Sequence, residues 1–477
     1  MPRTEGRSEL AWPPLDRASG DLEGQIYRLV RERVLAGQLL PGQRLPSTRA
    51  LAGALEVARS TVVHAYERLR NEGYLQTTAG ALCRVSGLAL PVFSERPETP
   101  PVTQAVPARI SGRFELGVPD LASFPHKAWA RTLAARARAL RVHDLGYGQA
   151  CGLEALRVAI LDHVAATRGV TARPEQVLVV PSTRAAVSLL AEVLLRDVRD
   201  DAVVWVEDPG YPTAKTLLSA AGAVLLPVPC DEEGIDVARA PARAPRLIYV
   251  TPSHQYPMGY AMSLQRRVAL LAAARRHNAI VLEDDYDSEF RYGSRPIAAL
   301  QGIDRGDSVV YLGTFSKTLA PGLRVAYAIV PPALTAMVAE AQLLRAAVVP
   351  VHIQAALADF MCEGQFRAHL RRMNAIYGER MAATVEALRR HGEHLFRIGP
   401  GAGGLQLAAW FHDERIVDAE LAKHLKTEGF AVRPLSSYYL LTPRPGLVFG
   451  IATEPAQQID ALIAQLVRSV EKGVRST

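Results

Sequence analysis

Five short apolar runs, Gln176 to Val180, Ala202 to Val206, Arg246 to Val250, Ala279 to Leu282 and Ser308 to Leu312, alternate with longer helical patterns. No other feature of the 477-residue chain constrains its fold as strongly. Short apolar runs bounded by polar residues suit strands buried on both faces. Strands separated by helices build parallel sheets, because a parallel connection needs a crossover long enough to hold a helix. The spacing therefore predicts an α/β domain with a mainly parallel sheet. From about Pro331 the pattern changes to long helical stretches, including Asp418 to Glu428 and Pro455 to Val470, around a few strand-like segments. A smaller C-terminal α+β lobe is expected there.

The alternation does not reach the N-terminus. From Leu90 to Gly112, Pro91, Pro97, Pro100, Pro101 and Pro107 lie among polar residues with little periodicity, which reads as an interdomain linker. A chain of this length exceeds what one core usually organises. Domains are accordingly expected at 1–87 and 113–477, joined by a Pro-rich linker at 88–112. In the first, Ile26, Leu29, Val30 and Val34 have helical spacing up to Gly37, and Ser47 can cap a second helix carrying Leu51 and Leu55. After the turn Glu56 Val57 Ala58, a third helix from Arg59 to Glu72 buries Val62, Ala65 and Leu69 and presents Arg59, Ser60, Thr61 and His64 outward. Leu75 to Thr78 and Leu82 to Val85, joined through Ala79 Gly80 Ala81, suit a hairpin. Periodicity alone leaves open whether this is a small bundle or a helix-turn-helix offering its third helix to a major groove.

Composition excludes more than it selects. With 49% hydrophobic and 22% charged residues the chain is neither fibrous nor disordered. The net charge of +7 suits solubility as well as nucleic-acid binding, although residues 1–87 hold twelve arginines, no lysine and nine acids. Cys83, Cys151, Cys230 and Cys362 lie far apart without a CxxC or Cys/His cluster, so neither a disulfide framework nor a metal site is expected, and a reducing cytoplasm fits. Met1 to Trp12 has charges of both signs and no apolar stretch, and no window approaches about 18 apolar residues. Neither secretion nor membrane insertion is expected.

Lys317 lies in YLGTFSKT, immediately after an apolar run, and Arg324 follows in Pro321 Gly322 Leu323 Arg324. A nucleotide phosphate loop does not fit, because Ser316 precedes the lysine where glycine is required and the upstream glycine spacing is absent. A lysine taken singly is usually a surface residue; the company of this one singles it out. The run Ala279 to Leu282 ends in Glu283 Asp284 Asp285 Tyr286, again polar groups at a strand's C-terminal end, and in a parallel sheet such ends face one ligand-binding crevice. Pyridoxal phosphate needs an amine for a Schiff base, a carboxylate for its ring nitrogen, and cationic or helix-terminal donors for its phosphate. Lys317, Asp284 and Arg324 are expected to supply these, with Tyr286 on the cofactor's phenolic oxygen. Asp285 and Asp287 read as solvated acids.

Two resemblances sharpen this reading. The string PGQRLPSTRALAGALEVARSTVVHAYERLRNEGYL closely resembles the DNA-binding domain of the GntR superfamily, with its G-x-x-LPS-x-R-x-LA and R-x-TV-x-x-AY-x-x-L pattern. The resemblance implies a winged helix-turn-helix in which Arg49, Arg59, Ser60 and Thr61 contact operator DNA. Arginine suits the task because its planar fork pairs bidentately with guanine or clamps phosphate. The family commonly caps the recognition helix with Ser, where this chain has Ala58. EDPGYP (Glu207 to Pro212), TPSHQYPMG (Thr251 to Gly259), LEDDYDSEFRY (Leu282 to Tyr292) and YLGTFSKTLAPGLR (Tyr311 to Arg324) resemble fold-type I aminotransferases, and specifically the MocR family of fused regulators. That resemblance implies pyridoxal phosphate on Lys317, Thr314 and Ser316 near its phosphate, and Tyr256 and Tyr211 in the pocket. It further implies a head-to-tail homodimer in which Tyr147 reaches the neighbour's phosphate. Where the family has a Gly-led phosphate-cup helix this chain reads Pro181 Ser182 Thr183 Arg184 Ala185, leaving Thr183 and Arg184 as donors. No arginine lies in Pro445 to Gly450, where the family often holds a substrate carboxylate, so Arg433 or Arg444 stands in as a substitute.

The expected protein is a PLP-dependent DNA-binding regulator that senses an amine, an amino acid or pyridoxal phosphate itself. A working aminotransferase with a fused DNA-binding module is the rival, and regulation without physiological turnover is favoured over it.

Overall fold

The computed structural model describes residues 12–77, 83–87, 112–139, 141–142, 146, 150–196, 202–293, 297–305 and 307–476. Two compact units are present, Met1–Ala108 and Arg109–Thr477. Most of the expected linker, the hairpin tip at 79–81 and Tyr147 lie outside the described residues.

In the first unit, helices α1 (Leu22–Leu35), α2 (Thr48–Leu55) and α3 (Arg59–Asn71) form where capping and apolar spacing coincide. The Asp21 carboxylate accepts from Gly24 N and the Ser47 hydroxyl from Ala50 N, satisfying amides that a helix start leaves unpaired. Ala58 has the extended backbone of a cap residue but no side chain able to accept. Ile26, Val30, Leu51, Val62 and Leu69 are fully buried in one core, each contributing about 1.5–3 kcal/mol by leaving water. Strands β1 (Leu75–Gln76) and β2 (Arg84–Val85) pair antiparallel with Leu75 opposite Val85. Among the described residues this hairpin is shorter than the sequence pattern suggests.

The larger sheet of the second unit has eight strands among the described residues: β3 (Val177–Val180), β4 (Val203–Asp208), β5 (Val224–Asp231), β6 (Gly234–Ile235), β7 (Leu247–Val250), β8 (Ile280–Asp285), β9 (Val309–Thr314) and β10 (Ala326–Ile329). Their order is β3-β10-β9-β8-β7-β4-β5-β6. The contiguous run β9-β8-β7-β4-β5 is parallel, whereas β10 is antiparallel to both neighbours and β6 is antiparallel to β5. Both faces are covered: Val204, Val206, Leu282 and Leu312 belong to one core, and Val203, Trp205 and Val281 to another. This explains why the strands read as unbroken apolar runs. β8 and β9 extend beyond those runs, because pairing continues through Asp284 opposite Leu312 and Asp285 opposite Gly313.

The smaller lobe carries an antiparallel sheet in the order β11-β12-β14-β13, from β11 (Phe396–Ile398), β12 (Gln406–Phe411), β13 (Arg433–Pro434) and β14 (Gly446–Gly450). Helices Gln365–Gly392 and Ala456–Ser476 pack against each other beside it, and Phe114 stacks on Phe430 and meets Phe449 edge-on. Among the described residues, no helix is long and apolar enough to cross a membrane, and no cluster of His, Cys, Asp or Glu is arranged to hold a metal ion.

Candidate cofactor pocket and DNA-contact helices

Successive strand residues face opposite sides of a sheet, so Asp284 follows Leu282 and Thr314 follows Leu312 onto the same face. Both project from C-terminal strand ends into a cavity of about 620 Å³. Lys317, Asp284, Tyr286, Tyr256, Tyr211, Thr183, Thr314, Ser316 and Arg324 all line this cavity. Arg184 and Arg433 line it too, and Arg444 does not.

Thr314 ends β9 and caps the short helix Phe315–Thr318, its hydroxyl accepting from Ser316 N at 3.1 Å. This turn carries Lys317 into the cavity, where Nζ donates to the Gly117 carbonyl at 2.6 Å. Gly117 has φ 75°, and a Cβ there would lie 2.9 Å from the lysine amine, so glycine both permits the turn and leaves room for Nζ. The cation-rich end is made by Thr183 and Arg184 at the start of helix Thr183–Leu195, whose Ser182 cap accepts from Ala185 N at 3.2 Å, together with Arg324. Helix N-termini of this kind bind phosphate. Arg324 has φ 54°, a left-handed conformation uncommon for a non-glycine residue and most often tolerated at functional sites.

Asp284 tests the fit to a pyridine ring. Its Oδ2 accepts from the Tyr249 hydroxyl at 2.5 Å, while Oδ1 is buried without a partner. A ring N–H is the donor that this orphaned oxygen lacks, and a buried acceptor left unmade is costly. Burial pushes the Asp284 carboxyl up to about 6, opposed by the Tyr249 hydrogen bond and the Lys317 charge. Tyr249 was invisible as a site residue in the sequence, where it sits mid-strand as ordinary apolar filling.

The remaining wall is aromatic. Tyr256 meets Tyr211, Tyr286 and Tyr438 edge-on at centroid distances of 5.1, 5.7 and 5.5 Å. The Tyr286 hydroxyl donates to the His254 carbonyl at 2.9 Å and accepts from Gln406 Nε2 at 3.1 Å. Asp285 and Asp287 are not solvated acids. Asp285 points to the opposite sheet face, where Arg168 Nε and the Tyr311 hydroxyl donate to it at 2.8 and 2.6 Å. Asp287 is buried against His254 Nδ1 at 3.1 Å and Leu405 N at 3.0 Å. The burial of Asp285 follows from the sheet being covered on both faces, and that of Asp287 from its contacts with His254 and Leu405; a local run of acids reveals neither.

In the first unit Arg49 on α2 and Arg59 and Ser60 at the start of α3 are exposed, and Thr61 is half-buried. Arg59 Nε lies 3.4 Å from Thr48 Oγ1. α3 keeps Val62, Ala65 and Leu69 in the core, so its first turn is free to face a groove.

Sheet topology, strand-end pocket and the Lys317–Asp284 pair define a fold-type I pyridoxal phosphate domain, fused to a helix-turn-helix DNA-binding domain. Residues 115–466 match the aminotransferase class I and II family, and residues 22–85 match the bacterial regulatory proteins of the gntR family. The chain belongs to the MocR family of fused regulators and is a transcription regulator with pyridoxal phosphate as its cofactor. It is 37% identical to the probable rhizopine catabolism regulatory protein MocR of Rhizobium meliloti, over 92% of each chain. It is 32% identical to the pyridoxine biosynthesis regulator PdxR of Corynebacterium glutamicum, over 94% of this chain and 96% of that one. Among solved structures, the α-aminoadipate aminotransferase LysN of Thermus thermophilus superposes with a TM-score of 0.69 at 26% identity, over 77% of this chain and 94% of its own.

Proposed function

We propose that the pocket reads a small amine or amino acid through its bound cofactor, and that the outcome alters how the winged helix-turn-helix meets operator DNA. The observation that carries this is the orphaned oxygen of Asp284, which lines a cavity shared with Lys317, in a chain that also bears exposed arginines on α2 and α3. Bound pyridoxal phosphate would supply an electrophilic carbon and an electron-withdrawing ring. Lys317 would be the amine that holds it covalently. Asp284 would keep the ring nitrogen charged, Thr183, Thr314, Ser316 and Arg324 would hold the phosphate, and Tyr211, Tyr256 and Tyr286 would surround the ring. The protein acts in the cytoplasm as a head-to-tail homodimer, with Tyr147 of each subunit reaching the other's phosphate and two winged helices meeting a two-fold operator. Residues 1–87 form the DNA-binding domain, 88–112 the linker and 113–477 the effector and dimerisation domain. The Lys317–Asp284 pair also favours a second reading, an active aminotransferase with a fused DNA-binding module.

The test is binding of the full-length protein to the DNA flanking its own gene, with and without cofactor, then with amines added. A change on loading cofactor alone makes pyridoxal phosphate the signal; a change only with amine makes the amine the signal. Arg49→Ala and Arg59→Ala are each expected to weaken binding by about 1–3 kcal/mol where the residue reads a base. Full affinity in both variants would remove α2 and α3 from the contact surface.

A further inference from the structure

We infer that His254 is a positioning residue for the cofactor: held by Asp287, its Nδ1–H donates to the Tyr286 hydroxyl oxygen and so sets how firmly Tyr286 grips the cofactor's phenolic oxygen. This rests on the placement of Tyr286 beside that oxygen and adds the groups that control it.

His254 belongs to the loop after β7, and Tyr286 and Asp287 to the segment that follows β8. The two strands are parallel neighbours, so both segments leave the sheet at the same end. There the imidazole is 6% exposed, and its Nδ1 lies 3.1 Å from Asp287 Oδ1 and 2.9 Å from the Tyr286 hydroxyl. A carboxylate can only accept, and the other Asp287 oxygen already accepts from Leu405 N at 3.0 Å. Asp287 Oδ1 therefore places the ring's proton on Nδ1, where the same N–H also reaches the Tyr286 oxygen.

Gln406 Nε2, at 3.1 Å, is the second donor to that oxygen, while the Tyr286 proton points to the His254 carbonyl at 2.9 Å. This proton is the one available to a cofactor oxygen. Burial holds the Tyr286 phenol well above its ordinary value, so it remains a donor. Hydrogen bonds received by a hydroxyl oxygen strengthen the bond that its own proton makes. Room for the imidazole is made by Gly404, with φ 70°, where a Cβ would overlap the His254 ring. The Gly404 carbonyl is tied down by the Tyr292 hydroxyl at 2.7 Å, and the amide of the next residue is the one that fixes Asp287. Packing alone would be satisfied by any flat ring. The carboxylate on Nδ1 and the approach to Tyr286 are what a donor requires.

The full-length protein is loaded with pyridoxal phosphate, its visible spectrum is followed from pH 5.5 to 9, and the cofactor's dissociation constant is measured. His254→Phe keeps a flat ring but removes the donor. It should move the pH midpoint of the lysine-bound cofactor's band up by about half to one unit, because the phenolate form loses part of its hydrogen bond, and weaken cofactor binding about two- to tenfold. The other titratable groups acting on the Tyr286 hydroxyl are Asp287, Tyr256, Asp284 and Glu207, and none is substituted. His254→Asn, whose side-chain nitrogen takes the place of Nδ1, should keep the wild-type midpoint. A ring that only filled space gives the reverse order, with the phenylalanine variant the milder. Tyr286→Phe should also raise the midpoint, and adding His254→Phe to it should change nothing further. A midpoint moved by Tyr286→Phe but not by His254→Phe, or two shifts that simply add, overturns the role of His254. If Tyr286→Phe leaves the spectrum unchanged, the placement of Tyr286 itself fails, and this inference falls with it. Should His254→Phe not fold, the nitrogen-15 spectrum of histidine-labelled wild type, assigned with His254→Asn, decides. A proton on Nδ1 whose resonance shifts on cofactor loading is expected, and a proton on Nε2 alone overturns the inference.

Discussion

A single proton at Asp284 links the pocket's electrostatics to its cofactor. The carboxylate form is the one that pairs with a protonated ring nitrogen, and burial holds the carboxyl up at about 6. Cofactor affinity should therefore be full above about pH 7 and fall as pH drops through 6, when protonation removes the counter-charge. Tyr249 donates to the carboxylate and so favours it. Tyr249→Phe should raise the midpoint of that pH profile and weaken cofactor binding about tenfold, read by titrating pyridoxal phosphate between pH 5.5 and 8. An unmoved midpoint would show that Tyr249 only fills space. Lys317→Ala should abolish the visible absorbance of the lysine-bound cofactor while far-ultraviolet circular dichroism stays unchanged. Persistence of that absorbance would falsify the assignment of Lys317.

Elements show where the local code is complete and where it falls short. α1 and α2 begin at residues whose side chains accept from the third amide beyond, Asp21 and Ser47, and both starts are readable over four residues. α3 begins without such a bond, because Ala58 has the backbone of a cap but no acceptor. Ala58→Ser should supply one and stabilise α3 by about 1 kcal/mol, visible as slower amide exchange in its first turn and a higher first unfolding transition. No change in exchange there would show that the start of α3 is already held by other means. β8 and β9 show the opposite limit: their apolar runs mark the strands, but the strands continue into Asp285 and Thr314 because neighbouring backbones remain paired. The extension matters, since it sends Asp284 into the pocket and Asp285 to Arg168 on the other face.

At the scale of the whole molecule, ligand binding and turnover make different demands. Amine exchange at the cofactor needs access and the Lys317 amine, whereas transamination also needs the substrate carbon oriented for proton transfer. Amines should thus shift the spectrum readily while keto-acid formation remains far below ordinary enzymatic rates. Sustained turnover on the order of 10 per second would promote the aminotransferase reading over regulation alone.

Helix starts, the strand–helix alternation and the string around Lys317 were legible in the sequence, as was Asp284 at its strand end. Caps, turns and side-chain periods act between residues a few positions apart, so a short stretch of chain encodes them whole. Contacts between distant segments had to wait for the tertiary structure. Gly117 lies 200 positions from Lys317, and Tyr249 lies 35 from Asp284. That Arg433 lines the cavity and Arg444 does not, and that Asp285 and Asp287 are buried, likewise depends on strand register and on packing between distant segments. Register is set by packing of the whole core, in which any one residue contributes a small share of the free energy, and so no local pattern announces which side chains it will bring together.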